Sequence, residues 1–249
     1  MGKARDVQGG HGKSSGGPVR LSREVIIDAA VGIAAREHGD ALTGARLGTE
    51  LGVDRSAVWR HFSDKDALLL AVGDRLLEMA AAQIPGGLDP RARLEALARS
   101  VVRTLEAHPS IGARITSRTT RGEGEMAVVE MMLGALGELG LAEDELARYY
   151  RMFADTVLSY AGMLAQYAML APEVRTADER AWLGVYGVAD PQRYPAIAAH
   201  ATRLALVGDE AVLETLLEAF WLAVDARTRA TDSAADTAEA DDRTQQATS

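Results

Sequence analysis

The stretch LTGARLGTELGVDRSAVWRHFSDKDALL, Leu42–Leu69, decides how this chain is read. Thr43 is placed to cap a short helix whose apolar Leu47 and Leu51 share one face. Gly48 is small where a second helix would cross closely. Gly52 follows Leu51 where the chain must turn sharply, and glycine enters the left-handed conformation without a Cβ penalty. Val53 then packs inward, Asp54 caps the next helix, and Val58 and Phe62 face the core. Arg55, Ser56, Trp59 and Arg60 are left looking outward. A small residue, a glycine turn, a cap and a short helix with one apolar face make the helix-turn-helix pattern.

The outward residues suit DNA. Arg55 can reach a guanine edge or a phosphate, and Ser56 beside it makes a shorter contact. Trp59 and His61 each offer a ring N–H to phosphate while their rings pack, and Arg60 adds a charge further round. Ser63 and Asp66 form an S-x-x-D capping pattern, which puts Lys65 in the first turn of the following helix. The helix dipole disfavours a cation there. Its placement makes sense where a phosphate also receives the terminal N–H groups; the plainer alternative is that Asp64 and Asp66 neutralise it.

Working outward, the chain has 249 residues, 47% of them hydrophobic, enough to bury a sizeable core. It has no cysteine, which excludes disulfides, thiol nucleophiles and thiolate metal sites and fits a cytoplasmic location. The net charge of -9 is uneven, because residues 1–66 carry ten Lys/Arg against nine Asp/Glu. A near-neutral head on an acidic body must bind DNA through particular side chains rather than bulk charge. The longest nearly apolar run, Thr156–Ala171, holds Ser159 and Gln166 and reads as a core helix rather than a membrane span.

Apolar residues recur at three- and four-residue intervals between two polar ends, so the class is all-α. Helices are expected near 22–38, 43–51, 55–61, 64–83, 90–107, 111–118, 124–139, 142–171, 178–186, 191–206 and 209–228. Residues 1–19 read as a disordered arm, 20–66 as a three-helix DNA-binding head, 67–228 as a larger helical effector-binding and dimerisation domain, and 229–249 as a disordered acidic tail.

From Ser22 to about Leu77 the chain resembles the DNA-binding domain of the tetracycline-repressor (TetR) family. The resemblance rests on Val25, Ile26, Ala29, Ala30, Ile33 and Ala34, on Leu51-Gly52-Val53, and on Val58-Trp59-Arg60-His61-Phe62 followed by Ser63-Asp64-Lys65-Asp66-Ala67-Leu68-Leu69. It implies a homodimer whose two heads read a palindromic operator and release it on binding a small-molecule effector, with repression the usual outcome and activation the alternative. It also implies that Arg55 and Ser56 contact bases and that Trp59, His61 and Lys65 contact phosphates, with Thr43 and Arg60 completing the expected DNA-facing set. Trp59 stands where such proteins usually have tyrosine, Ala57 where a hydroxyl residue is common, and Gly44-Ala45 where polar contacts are frequent.

The resemblance makes the rest of the chain the effector-binding part. Leu146, Tyr150, Phe153, Val157, Tyr160, Leu164 and Tyr167 alternate by four and three, either as a dimer seam together with Leu213, Leu216, Leu217, Phe220, Trp221 and Val224, or as packing within one subunit. Candidate effector contacts are Met126, Met131, Tyr149, Met152, Phe153, Tyr160, Met163 and Trp182, adaptable side chains that suit a largely apolar or aromatic ligand but serve equally as ordinary core. Arg103, Arg114, Arg118 or Arg151 could meet an anionic one. An all-α enzyme is the rival class. It finds no support in the motifs: His11, His38, His61, His108 and His200 lack metal-ligand spacing, and no nucleophile elbow or phosphate loop is present. No cofactor or metal is called for.

Overall fold

The computed structural model describes residues 20–37 and 42–246; the arm expected over 1–19 lies outside them. Every regular element among the described residues is helical. Three short helices, α1 (Arg23–Arg36), α2 (Gly44–Leu51) and α3 (Arg55–Val58), form the head, and α4 (Lys65–Ala82) leads out of it. Their caps follow the local sequence. Ser22, Thr43 and Asp54 accept from the amides of Val25, Arg46 and Ser56 at 3.3, 3.1 and 2.8 Å. Gly52 closes α2 at φ 66°, where a side chain would be strained. A Cβ on Gly48 would lie 2.7 Å from the Val53 carbonyl, so glycine lets the turn fold back against α2.

The body consists of α5 (Pro90–Glu106), α6 (Pro109–Ile115), α7 (Glu123–Glu138), α8 (Glu143–Ala168), α9 (Pro172–Ala181), α10 (Pro195–Leu204) and α11 (Asp209–Gln246). Proline stands at the start of α5, α6, α9 and α10, where its missing N–H leaves no helical bond unmade. α9 thus begins at Pro172, earlier than the periodicity indicated, and passes through a π-helical turn at Trp182–Tyr186. α9, this turn and α10 pack mainly on one another, and Ala201 is their one buried residue.

α11 runs to Gln246, through most of the stretch 229–249 that the sequence reads as a disordered acidic tail, whose last three residues lie outside the described ones. No Gly or Pro follows Gly208, and alanine with Arg, Glu and Gln sustains a helix that has few large apolar residues.

One continuous buried cluster runs from Ile26, Ile33, Leu47, Val58 and Phe62 in the head, through Leu68, Val72 and Leu76 of α4, to Leu97, Val128, Phe153 and Phe220 in the body. α4 packs against α1, α5, α6 and α7. Replacing Gly48 by Val should destabilise the head by about 1–3 kcal/mol through overpacking against a backbone carbonyl, seen as a lower thermal midpoint by circular dichroism.

Candidate functional site

In the head, Val58 and Phe62 are buried while Arg55, Ser56 and Arg60 are exposed. The Ser56 amide donates to Asp54 at 2.8 Å, and the neighbouring Ser56 side chain and amide hold the Asp54 carboxyl below its ordinary value. The start of α3 is therefore rigid, with Arg55 carried at its first position. Trp59 is half-buried, and its indole Nε1 would lie 2.4 Å from a Cβ on Gly44. The large ring at 59 and the bare backbone at 44, two departures in the sequence, are thus one packing arrangement. Thr43 is exposed; its oxygen accepts from Arg46, and its O–H proton is left for another acceptor. His61 is half-buried, and its carbonyl accepts from Arg23, whose guanidinium stacks 4.3 Å above the Phe62 ring. Other head arginines serve structure: Arg36 and Arg46 pair with Glu50 at 2.7 and 2.9 Å, and Arg46 pairs also with Glu37.

The cap of α4 is Asp64, not Ser63: Asp64 accepts from the Ala67 amide at 2.8 Å, and the Ser63 hydroxyl donates to Asp64. A carboxylate one residue nearer the helix displaces the weaker hydroxyl cap. Lys65 accordingly occupies the first helical position. Asp66 takes no part in the cap and forms a two-pronged ion pair with Arg118, at 3.0 and 2.8 Å. Those bonds hold the Asp66 carboxyl below its ordinary 3.8. Because the folded-state value is the depressed one, the tie is intact at neutral pH and is lost only as pH falls through that lowered value.

The body holds a cavity of about 70 Å³ between α4, α5, α7 and α8, walled by Leu77, Leu97, Val101, Val128, Phe153 and Val157, with Arg118, Thr120, Glu125 and Tyr150 at its polar side. Of the eight candidate effector residues, Phe153 lines it. Met126, Met152 and Met163 are 53%, 44% and 52% exposed, and Met131 packs against the core from its edge. Tyr149 donates to the Ala223 carbonyl and meets Phe220 edge-on, tying α8 to α11. Tyr160 donates to the Asp209 carbonyl at 2.8 Å, and burial raises its phenol to about 12. Trp182 stacks on Tyr186 at 4.6 Å beside a separate open cleft that Met163 also borders. The walls are mostly branched aliphatic residues on the inward faces of four helices, so a search for methionine and aromatic side chains misses most of them.

The polar side has its own lock. Asp74 of α4 accepts from the Thr120 hydroxyl at 2.7 Å and from the Gly124 and Glu125 amides at 3.1 and 2.9 Å. Glu125 accepts from the Arg121 amide and shares the single Thr120 hydroxyl proton with Asp74, holding Arg121 at φ 63° in the left-handed region. The α6–α7 loop is thereby pinned to α4. Among the acids, Glu145 is buried; it pairs with Arg148 and Arg227.

Comparison with known proteins agrees with this arrangement. Residues 26–72 match the bacterial regulatory proteins of the tetR family, and residues 85–219 match the tetracyclin repressor-like C-terminal domain. The HTH-type transcriptional repressor DrrR1 of Streptomyces coeruleorubidus is 30% identical over 55% of this chain and 51% of its own. The class A tetracycline repressor of Escherichia coli is 33% identical over 49% and 57%. The chain thus spans about half the length of the curated relatives it matches. A crystal structure assigned as a transcriptional regulator of Streptomyces coelicolor A3(2) is 29% identical, with TM-score 0.68 over 83% of this chain and 98% of that one. Apo ActR of Streptomyces coelicolor, 21% identical, shares the fold at TM-score 0.72 over 86% and 99%. The chain belongs to the tetracycline-repressor family of bacterial regulatory proteins. No described helix is long and apolar enough to cross a membrane.

Substituting Asp64 by Ala should cost about 1 kcal/mol of stability through loss of the α4 cap, measured by urea titration. Tyr160→Phe should cost about 1 kcal/mol, the net value of one hydrogen bond, by the same titration.

Proposed function

We propose that this chain is a ligand-responsive DNA-binding repressor, acting as a homodimer on a palindromic operator and released by a small-molecule effector. The observation that carries the reading is the junction of α3 and α4. Exposed Arg55 and Ser56 open a capped helix, and a few residues later Lys65 takes the first position of α4, half-buried beside the Asp64 cap. Arg55 and Ser56 meet base edges; Thr43, Trp59, Arg60, His61 and Lys65 meet the backbone. The fold is shared with BioQ, crystallised with its double-stranded DNA operator, and with ActR, crystallised with actinorhodin.

The dimer uses the outward stripes of α8 and α11. The seam that alternates by four and three is occupied within the subunit: Phe153, Val157, Tyr160 and Leu164 are buried, as are Leu213, Leu217, Phe220, Trp221 and Val224. Met152 and Met163 on α8 and Leu222 on α11, the last 70% exposed, remain for a mate.

The effector site is the cavity, with residues 67–228 as the responsive domain. At about 70 Å³ it is smaller than small-molecule pockets of roughly 300–1,000 Å³. An effector therefore parts α4 from its neighbours as it enters, and α4 carries that displacement to the DNA-facing junction. Binding shifts the population only because the parted state holds the effector better.

Selection of random DNA fragments by the purified chain should enrich one palindrome; absence of enrichment at low and moderate salt overturns the reading. On the selected operator, Lys65→Ala should weaken binding to all sequences and reduce the salt slope by about 1, whereas Arg55→Ala should cost about 1–3 kcal/mol and relax specificity at one base pair. Leu222→Glu should yield monomers in sedimentation velocity and abolish tight operator binding.

A further inference from the structure

Four arginines were available to an anionic effector, and the structure brings one of them to the cavity wall. Arg103 borders a different cleft with Tyr160 and Asp209. Arg151 pairs with Asp155 on the exposed face of α8. Arg114 is not among the lining residues. Arg118 lines the cavity and at the same time grips Asp66.

A guanidinium carries five N–H donors, and this grip uses two, leaving three. Glu125, the other charged group on the wall, is committed to Thr120 and the Arg121 amide. The cavity therefore combines an apolar body with a cationic donor set at one end. Asp66 follows Lys65 directly in the first turn of α4. Left alone, its carboxylate would repel a phosphate held by Lys65 and the helix amides; paired with Arg118, it does not. Both partners are about half exposed, 41% and 55%, which makes the pair a weak one. An anion brought into an apolar cavity meets less screening and competes well for the same guanidinium.

We propose that the effector is a largely apolar molecule bearing an anionic oxygen group, and that this group draws Arg118 away from Asp66, exposing a carboxylate beside the DNA phosphate. The part concerning DNA rests on the assignment of the α4 N-terminus as a phosphate contact. The part concerning the ligand stands on the cavity alone. Arg118 is then the residue that both selects the effector and reports its presence.

Two fluorescent probes that share an aromatic frame separate these parts: 1-anilinonaphthalene-8-sulfonate, which is anionic, and N-phenyl-1-naphthylamine, which is neutral. Both should bind the full chain saturably, and at equal occupancy the sulfonate should release the selected operator more completely than the neutral probe. Arg118→Gln should weaken the sulfonate about tenfold or more, as loss of a charge-assisted pair implies, and leave the neutral probe within about twofold. Arg118→Lys, which keeps the charge without the fork, should recover part of the sulfonate affinity. Asp66→Asn should stay on the operator at sulfonate concentrations that empty the wild type. Thermal melts of each variant confirm folding. Equal sulfonate affinity of Arg118→Gln and wild type overturns the proposal, as does absence of saturable binding by either probe. Release by the neutral probe equal to that by the sulfonate, or release of Asp66→Asn at wild-type concentrations, overturns the link to DNA. If the wild type selects no DNA, the repressor reading fails separately, and the comparison of probe affinities still decides the ligand part.

Discussion

The structure depends on the fact that α4 is one rod buried at both ends. Its 18 residues span about 27 Å at 1.5 Å per residue. Leu68 and Val72 lie in the same buried cluster as the head residues Phe62 and Ile26, and Leu76 and Ala80 continue towards the body. A close-packed interior does not deform smoothly, so a push on one end of such a rod is felt at the other. The first turn of α4 follows α3 after a short connection, and Leu77 in a later turn walls the cavity. Head and body are therefore mechanically one object, although their sequences read as separate parts.

Polar groups hold this rod in register where apolar packing alone would let it slide. Asp74 collects three donors from the α6–α7 segment, and Asp66 takes the Arg118 fork. Both attachments come from the short stretch 118–125, which also forms the polar side of the cavity. The first is partly buried and satisfied from several directions, as a lasting anchor requires. The second is exposed and can be given up at little cost.

The head was legible because its determinants are local. A cap, a left-handed glycine and a helix with one apolar face are encoded within a few residues of where they act, and Thr43, Gly48, Gly52 and Asp54 behave as their chemistry demands. Legibility failed where two local solutions competed, as at Ser63 and Asp64, and where composition stood in for conformation, as in the alanine-rich end of α11. The pairing of Gly44 with Trp59 shows the same limit. Each residue looked like a departure when taken singly, and the contact across the turn explains both.

By itself, the sequence determined the all-helical class, the helix-turn-helix and the residues that open α3, because these follow from periodicity and from hydrogen bonds between near neighbours, while the family came from the resemblance of Ser22–Leu77. Only the tertiary structure decided which side of α8 faces the core, which residues wall the cavity, and that Arg118 reaches Asp66 across 52 positions. Helical periodicity marks a face but does not name what that face meets. That choice is made by how helices far apart in the chain pack, and it fixes where the cavity and its one arginine lie relative to the first turn of α4.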